Sequence, residues 1–231
     1  MHVMEGFLPP LWAAIWWIIA LPIVIYGFIQ LKRVVEDNKE SLPLLGICGA
    51  LIFILSALKL PSVTGSCSHP TGTGLSAIVF GPFITAVVGF IVLLFQSLFL
   101  AHGGLSTLGA NTFSMAICGP FLGYYVYRAL KDTRVNMYIT VFIAVALADL
   151  FTYVITALEL ALAYPAEATG FFGSFVTFLG IFAVTQIPLA ILEGAVLSLV
   201  FKYIVHIKPD ILIRMNIFPE EKIMAAREDG I

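Results

Sequence analysis

The sequence predicts an all-α integral membrane protein, a seven-helix bundle whose third helix is short, on three observations. Hydrophobic residues make up 60% of its 231 residues and charged ones only 11%, against about 25% charged in typical soluble domains. Mean hydropathy is +1.02. Apolar runs long enough for a bilayer, about 20 residues each, recur with short polar intervals. Such a chain has too little polar surface to cover itself in water, so one polytopic domain over 1–231 is expected. The balance of 12 basic and 14 acidic residues gives no reason to expect nucleic acid as a partner.

The predicted helices cover 11–31, 42–58, 74–80, 82–100, 108–127, 137–162 and 171–205, followed by a cytoplasmic tail over 206–231. Basic residues favour cytoplasmic loops. They cluster at Lys32, Arg33 and Lys39, at Arg128, Lys131 and Arg134, and from Lys202 to Arg227, leaving only Lys59 elsewhere. The N-terminus is then outside and the C-terminus cytoplasmic, in the plasma membrane. An unbroken crossing over 75–100 would put Arg128 to Arg134 on the wrong side. Gly81-Pro82 resolves the parity, because proline interrupts helical hydrogen bonding. A short arm descends to about Phe80 and a longer helix returns. A half-length arm needs protein or a water-filled cavity at its ends, which makes Thr71 to Gly74 a candidate site wall.

The N-terminal Met1-His2-Val3-Met4-Glu5-Gly6 lacks the basic region of a cleavable signal peptide and is expected to stay on. With a large residue at position 2, Met1 should also be retained. The Met1 amine, the deprotonated His2 amide nitrogen and His2 Nδ1 can then close two fused chelate rings on one ion. Nitrogen-rich planar sites favour Cu(II) or Ni(II), and imidazole suits late first-row metals generally. A polar island from Pro61 to Gly74 lies on the same side, and its His69 can be the fourth ligand. Ser66, Cys67, Ser68 and Thr71 can hold the imidazoles in place, Cys67 being alternatively a ligand itself. A third island, Ala101 to Asn111, offers His102, a weaker candidate at a helix end, and Asn111, either a helix cap or a donor to a ligand.

Other residues read as structural. Cys48 and Cys118 pack in apolar runs, and three dispersed cysteines make no disulfide framework. Trp12, Trp16 and Trp17 look like an interfacial anchor. His206 is expected to be exposed. Asp149 and Glu193 are expected to pair with polar groups between helices, with Glu159 near the outer boundary. Gly81, Gly89, Gly119 and Gly123 fit close helix packing. An intramembrane metalloenzyme would need an HExxH or paired-carboxylate motif, and neither is present. No GxxxxGK[ST] phosphate loop occurs, so ATP hydrolysis belongs on another subunit.

Three segments together resemble the CbiM family: Met-His-Val-Met-Glu-Gly-Phe-Leu-Pro-Pro at the start, Ser56 to Gly74 with its Ser-Cys-Ser-His-Pro-Thr-Gly-Thr-Gly, and Ala-His-Gly-Gly-Leu-Ser-Thr-Leu-Gly-Ala-Asn-Thr-Phe-Ser-Met from Ala101. These are cobalt-specific substrate-binding components of energy-coupling factor transporters, close relatives of the nickel proteins NikM. The resemblance implies a six-helix core with an extra N-terminal helix, no resident cofactor, and Met1, His2 and His69 as ligands of transported Co²⁺. It implies CbiN, a coupling subunit CbiQ and an ATPase CbiO as partners, uptake that feeds cobalamin biosynthesis, and no enzymatic activity of this chain. Planar nitrogen coordination points to nickel or copper, whereas the loop resembles the cobalt branch.

Overall fold

The first apolar run forms α1 (Pro10–Asp37), with Pro10 at the first helical position, where its missing N–H costs nothing. In the computed structural model residues 2–37, 39–61 and 66–228 are described. The helix continues six residues past the expected Leu31, since leaving the apolar run does not end helical hydrogen bonding. Lys32 and Glu36 pair across one turn there, at 3.8 Å. A 3₁₀ turn leads into α2 (Leu42–Ala57).

The proline break falls where expected. Helix α3 spans Thr73–Phe80 and α4 spans Pro82–Phe99, separated by Gly81 at φ 82°. Ser76 Oγ and Thr85 Oγ1 meet at 2.9 Å across the break, so α4 folds back along α3. The expectation that Gly81 serves close packing is corrected: a Cβ added there would meet nothing within 4 Å, and what requires glycine is the left-handed turn. Gly89, Gly119 and Gly123 do serve packing. A Cβ on them would stand 2.6 Å from Ala116 Cβ, 2.7 Å from the Ala148 carbonyl and 2.8 Å from Ala148 Cβ.

The run predicted as one helix over 108–127 is instead α5 (Leu108–Asn111), a π-helical stretch over Thr112–Cys118 and α6 (Gly119–Leu130). Pro120 has no N–H to close the ladder onto the preceding turn, which accounts for the distortion. Asn136 accepts a hydrogen bond from the Tyr138 N–H and starts α7 (Met137–Ala163), which packs along α8 (Gly170–Ile207). Short helices α9 (Pro209–Arg214) and α10 (Glu220–Glu228) follow.

The basic clusters gather at one end. Lys222 Nζ donates to the Lys131 and Thr133 carbonyls, Lys131 Nζ to Asn216, and Pro43 at the start of α2 shares a cavity with Lys208 and Arg214. From that end α2 rises to the opposite one, where three short strands meet: β1 (His2–Val3), β2 (Leu60–Pro61) and β3 (Ser66–Ser68), in the order β1-β3-β2, all antiparallel. The flanks are apolar, with Leu11, Ile18, Ile25, Phe172, Val184 and Leu199 exposed, a surface suited to lipid rather than water. Among the described residues α1, α4, α7 and α8 are long and apolar enough to cross a membrane.

Two minor expectations are corrected. Trp16 is buried and stacks on Phe113 rather than lying at an interface. His206 is half-buried, with Nδ1 on the Lys202 carbonyl one turn back, because α8 carries it against the bundle.

Candidate metal centre

Four donors converge where the strands meet. His2, Cys67, His69 and His102 are all buried, and one donor atom of each lies within 4.8 Å of the others. His2 Nδ1 stands 3.2 Å from His102 Nε2, which is 2.9 Å from Cys67 Sγ. The His2 ring stacks on His69 at 4.3 Å and meets His102 edge-on at the same distance. Met1 lies outside the described residues.

Three separate pieces of sequence deliver the four donors. Strand β1 brings His2, opposite Cys67 in the sheet register. It is held from its other edge by Asn111, whose Oδ1 accepts the Val3 N–H at 2.7 Å while Nδ2 donates to the Val3 carbonyl at 3.0 Å. Thr107 Oγ1 donates to the same carbonyl. Both readings of Asn111 are therefore corrected: it neither caps its helix nor touches a ligand, but substitutes for a neighbouring strand. Gly103 and Gly104 let β1 lie this close. A Cβ on Gly103, at φ 75°, would press on Asn111 Nδ2 at 3.0 Å, and one on Gly104 would strike Glu5. Glu5 accepts from the Ser106 N–H, and hydrogen bonding to the Ser106 side chain, then to its backbone, holds its carboxyl below the usual range. The Tyr164 hydroxyl donates to the Phe7 carbonyl and ties down the rest of the segment.

His69 is fixed through its backbone. Its Nδ1 sits 2.8 Å from the Pro70 carbonyl, which can only accept, so Nδ1 carries the proton and Nε2 keeps its lone pair. That Nε2 is buried with no hydrogen-bond partner among the described residues. A buried lone pair without a donor is the state a metal ligand is expected to show before loading. Beyond Pro70 the loop is clamped by Glu193 of α8, which accepts from the Thr71 and Gly72 N–H groups and from the Thr71 hydroxyl. Gly72 turns at φ 72° directly against the α2 backbone. Glu193 thus pairs as expected. The support expected from Ser68 and Thr71 is corrected, since Ser68 bonds Thr185 and Thr71 bonds Glu193, tying the loop to α8 rather than the imidazoles. Ser66 pairs with Val3 in the sheet. Asp149 and Glu159 are fully buried with no hydrogen-bond partner among the described residues.

The electrostatics favour a cation-ready state. Burial holds His2 and His69 well below the ordinary imidazole range, the neighbouring rings adding to it at His2, and lowers His102 to about 4. Burial pushes the Cys67 thiol up. Three neutral imidazoles and a thiol suit a late transition metal and not Mg²⁺ or Ca²⁺, which prefer oxygen.

The region described as "Cobalt uptake substrate-specific transmembrane region", CbiM, matches residues 2–211. The chain belongs to the CbiM family. A CbiM relative from Methanosphaerula palustris is 64% identical over 230 residues, covering 100% of this chain and 98% of its own. The cobalt transport protein CbiM of Acetoanaerobium sticklandii is 58% identical over 206 residues, 89% of this chain and 85% of that one. The crystal structure of a truncated transition metal transporter superposes with a TM-score of 0.76 at 26% identity, covering 89% of this chain and 98% of the other. CbiM membership makes the chain a multi-pass membrane component of cobalt uptake, not an enzyme.

The imidazole shifts set a pH dependence. Each ring is neutral in the folded metal-free protein, whereas in the unfolded chain it takes up a proton near 6.5. The folded state therefore keeps its full stability above that value and loses it as pH falls, for His102 through the window from about 6.5 to about 4. Thermal melting of the metal-free protein should drop steadily over this range. Replacing His102 with Gln should flatten part of the drop, and an unchanged slope would contradict the assignment.

Proposed function

We propose that this chain is the substrate-capturing subunit of an ATP-driven cobalt uptake transporter of the energy-coupling factor type. The observation that carries the reading is the delivery of His2, by a strand next to the chain's own start, into a buried cluster with His69 at one end of an apolar bundle. Met1 and His2 supply the amine, amide and Nδ1 nitrogens, and His69 Nε2 completes the set. The ligand end faces outward, and the end bearing the basic clusters faces the cytoplasm, by the excess of Lys and Arg there. Helices α2, α3 and α4 and the continuous run α5–α6 complete a seven-helix arrangement with α1, α7 and α8. ATP is hydrolysed on a CbiO subunit, coupled through CbiQ with CbiN alongside, and the cobalt feeds cobalamin biosynthesis.

Nickel is the second reading, favoured by the planar nitrogen chelate alone. Metal content of the purified native-start protein, with Co²⁺, Ni²⁺ and Mg²⁺ in competition, tests both. About one cobalt per chain, displaced weakly by nickel and not by magnesium, is the expected outcome. Preference for nickel replaces the substrate, and magnesium competing equally removes the reading.

A further inference from the structure

We propose that Cys67 and His102 are ligands of the transported metal itself, beside His2 and His69, and that they bias this site toward cobalt over nickel. The inference rests on the proposed function for the existence of the site and adds donors that the planar chelate does not need.

Geometry carries the step. Ligand bonds to a first-row divalent ion run to about 2.0–2.1 Å for nitrogen and about 2.3 Å for thiolate. Two nitrogens at right angles on one ion then stand about 2.9 Å apart, and a nitrogen and a sulfur about 3.1 Å, both widening by about 0.4–0.5 Å at tetrahedral angles. His2 Nδ1 to His102 Nε2 is 3.2 Å and His102 Nε2 to Cys67 Sγ is 2.9 Å, the spacing of neighbouring donors around a single centre. His102 Nε2 offers one proton or one lone pair, yet two donor atoms lie within bonding reach of it. A cation satisfies all three at once. All four residues of the cluster are buried, and His69 Nε2 has no hydrogen-bond partner among the described residues.

Charge supports the same assignment. The His2 amide nitrogen gives up its proton on ligation and the three imidazoles are neutral donors, so a divalent ion among them still keeps one net positive charge in a water-poor site. Within the cluster of four, Cys67 is the side chain that becomes anionic on ligation: the Sγ–H bond breaks, the Sγ–metal bond forms and the proton passes to bulk water. A planar four-nitrogen site suits Ni(II) and Cu(II). Further donors on the same ion oppose square-planar geometry, and a thiolate excludes the hard cations, which leaves Co(II) favoured.

The test is a Co²⁺ titration of the purified full-length, native-start protein followed by optical absorption. The Cys48→Ala/Cys118→Ala background leaves Cys67 as the sole cysteine. A thiolate-to-cobalt charge-transfer band in the near ultraviolet should grow to one cobalt per chain. Cys67→Ser, close in shape, should still bind one cobalt but lose the band, weaken cobalt by more than about 100-fold, above the 10- to 100-fold typical of losing an outer partner, and move the preference toward nickel. His102→Gln should shift the visible ligand-field bands at unchanged stoichiometry. Stoichiometric binding without the band, or a Cys67→Ser protein with an unchanged cobalt to nickel ratio, overturns this inference and leaves the proposed function standing. No cobalt bound by the unmodified protein overturns both.

Discussion

One alanine inserted between Met1 and His2 should reduce cobalt affinity by at least about 100-fold, or about 2.8 kcal/mol, while keeping every side chain. The reason lies in strand geometry. Val3 is held on both its N–H and C=O by Asn111 and Thr107, so β1 has a fixed register against Cys67 and Ser66. If that register survives, the added residue carries the terminal amine about 3.4 Å farther along the strand and enlarges the chelate ring. If the amine keeps its place instead, the side chains alternate to opposite faces and the His2 imidazole turns away from His69 and His102. Either route loses ligands together. His69→Ala should cost as much by removing the Nε2 lone pair. Equilibrium competition with a chromophoric chelator measures both, and an insertion protein that binds like the unmodified one would rule out the amine as a ligand.

The second large effect is expected at a residue that is not itself a ligand. Replacing Glu193 with Leu leaves the Thr71 N–H, the Gly72 N–H and the Thr71 hydroxyl without their acceptor. All three donors are in buried residues, and each abandoned donor costs about 1–3 kcal/mol. The loop following His69 should therefore detach from α8, lowering both the melting temperature and cobalt affinity. Glu193→Gln should fall between. Its oxygen can still accept from Gly72 and the Thr71 hydroxyl, but its amide meets the Thr71 N–H donor to donor. Thermal unfolding beside cobalt titration distinguishes the cases, and a Leu variant with unaltered binding would mean that His69 is positioned without α8.

Much of this was legible in the residues. Hydropathy alone marks the apolar helices, and Gly81-Pro82 with the distribution of basic residues marks the short arm between Thr73 and Phe80, because proline and charge act locally. His2 and His69 stand out because a histidine beside a free amine and another in a Ser/Thr/Gly loop have few structural uses in a membrane protein. The rest depends on contacts between distant segments. Asn111 looks like a helix cap because it sits at a helix start, and only the position of Val3, 108 residues earlier, reveals it as a substitute strand. His102 looks like a satisfied end residue until β1 is laid beside it. Glu193 reads as an interhelical pair without a named partner, since its partners are backbone N–H groups that side-chain patterns do not display. The π-helical stretch over Thr112–Cys118 leaves no periodicity clear enough to read, although Pro120 is its visible cause.

The strand at the start of the chain has a consequence for biosynthesis. His2 leaves the ribosome 65 residues before Cys67 and 100 before His102, and Val3 leaves 108 before its clasp Asn111. His2 and Val3 must therefore wait, unpaired, while α1 to α4 are inserted and the loop before α5 emerges. Closing a loop of that length is entropically slow compared with local helix formation. The metal pocket is accordingly among the last features to mature, and a nascent chain halted before Asn111 would be embedded in the membrane with its terminal histidine still unclasped.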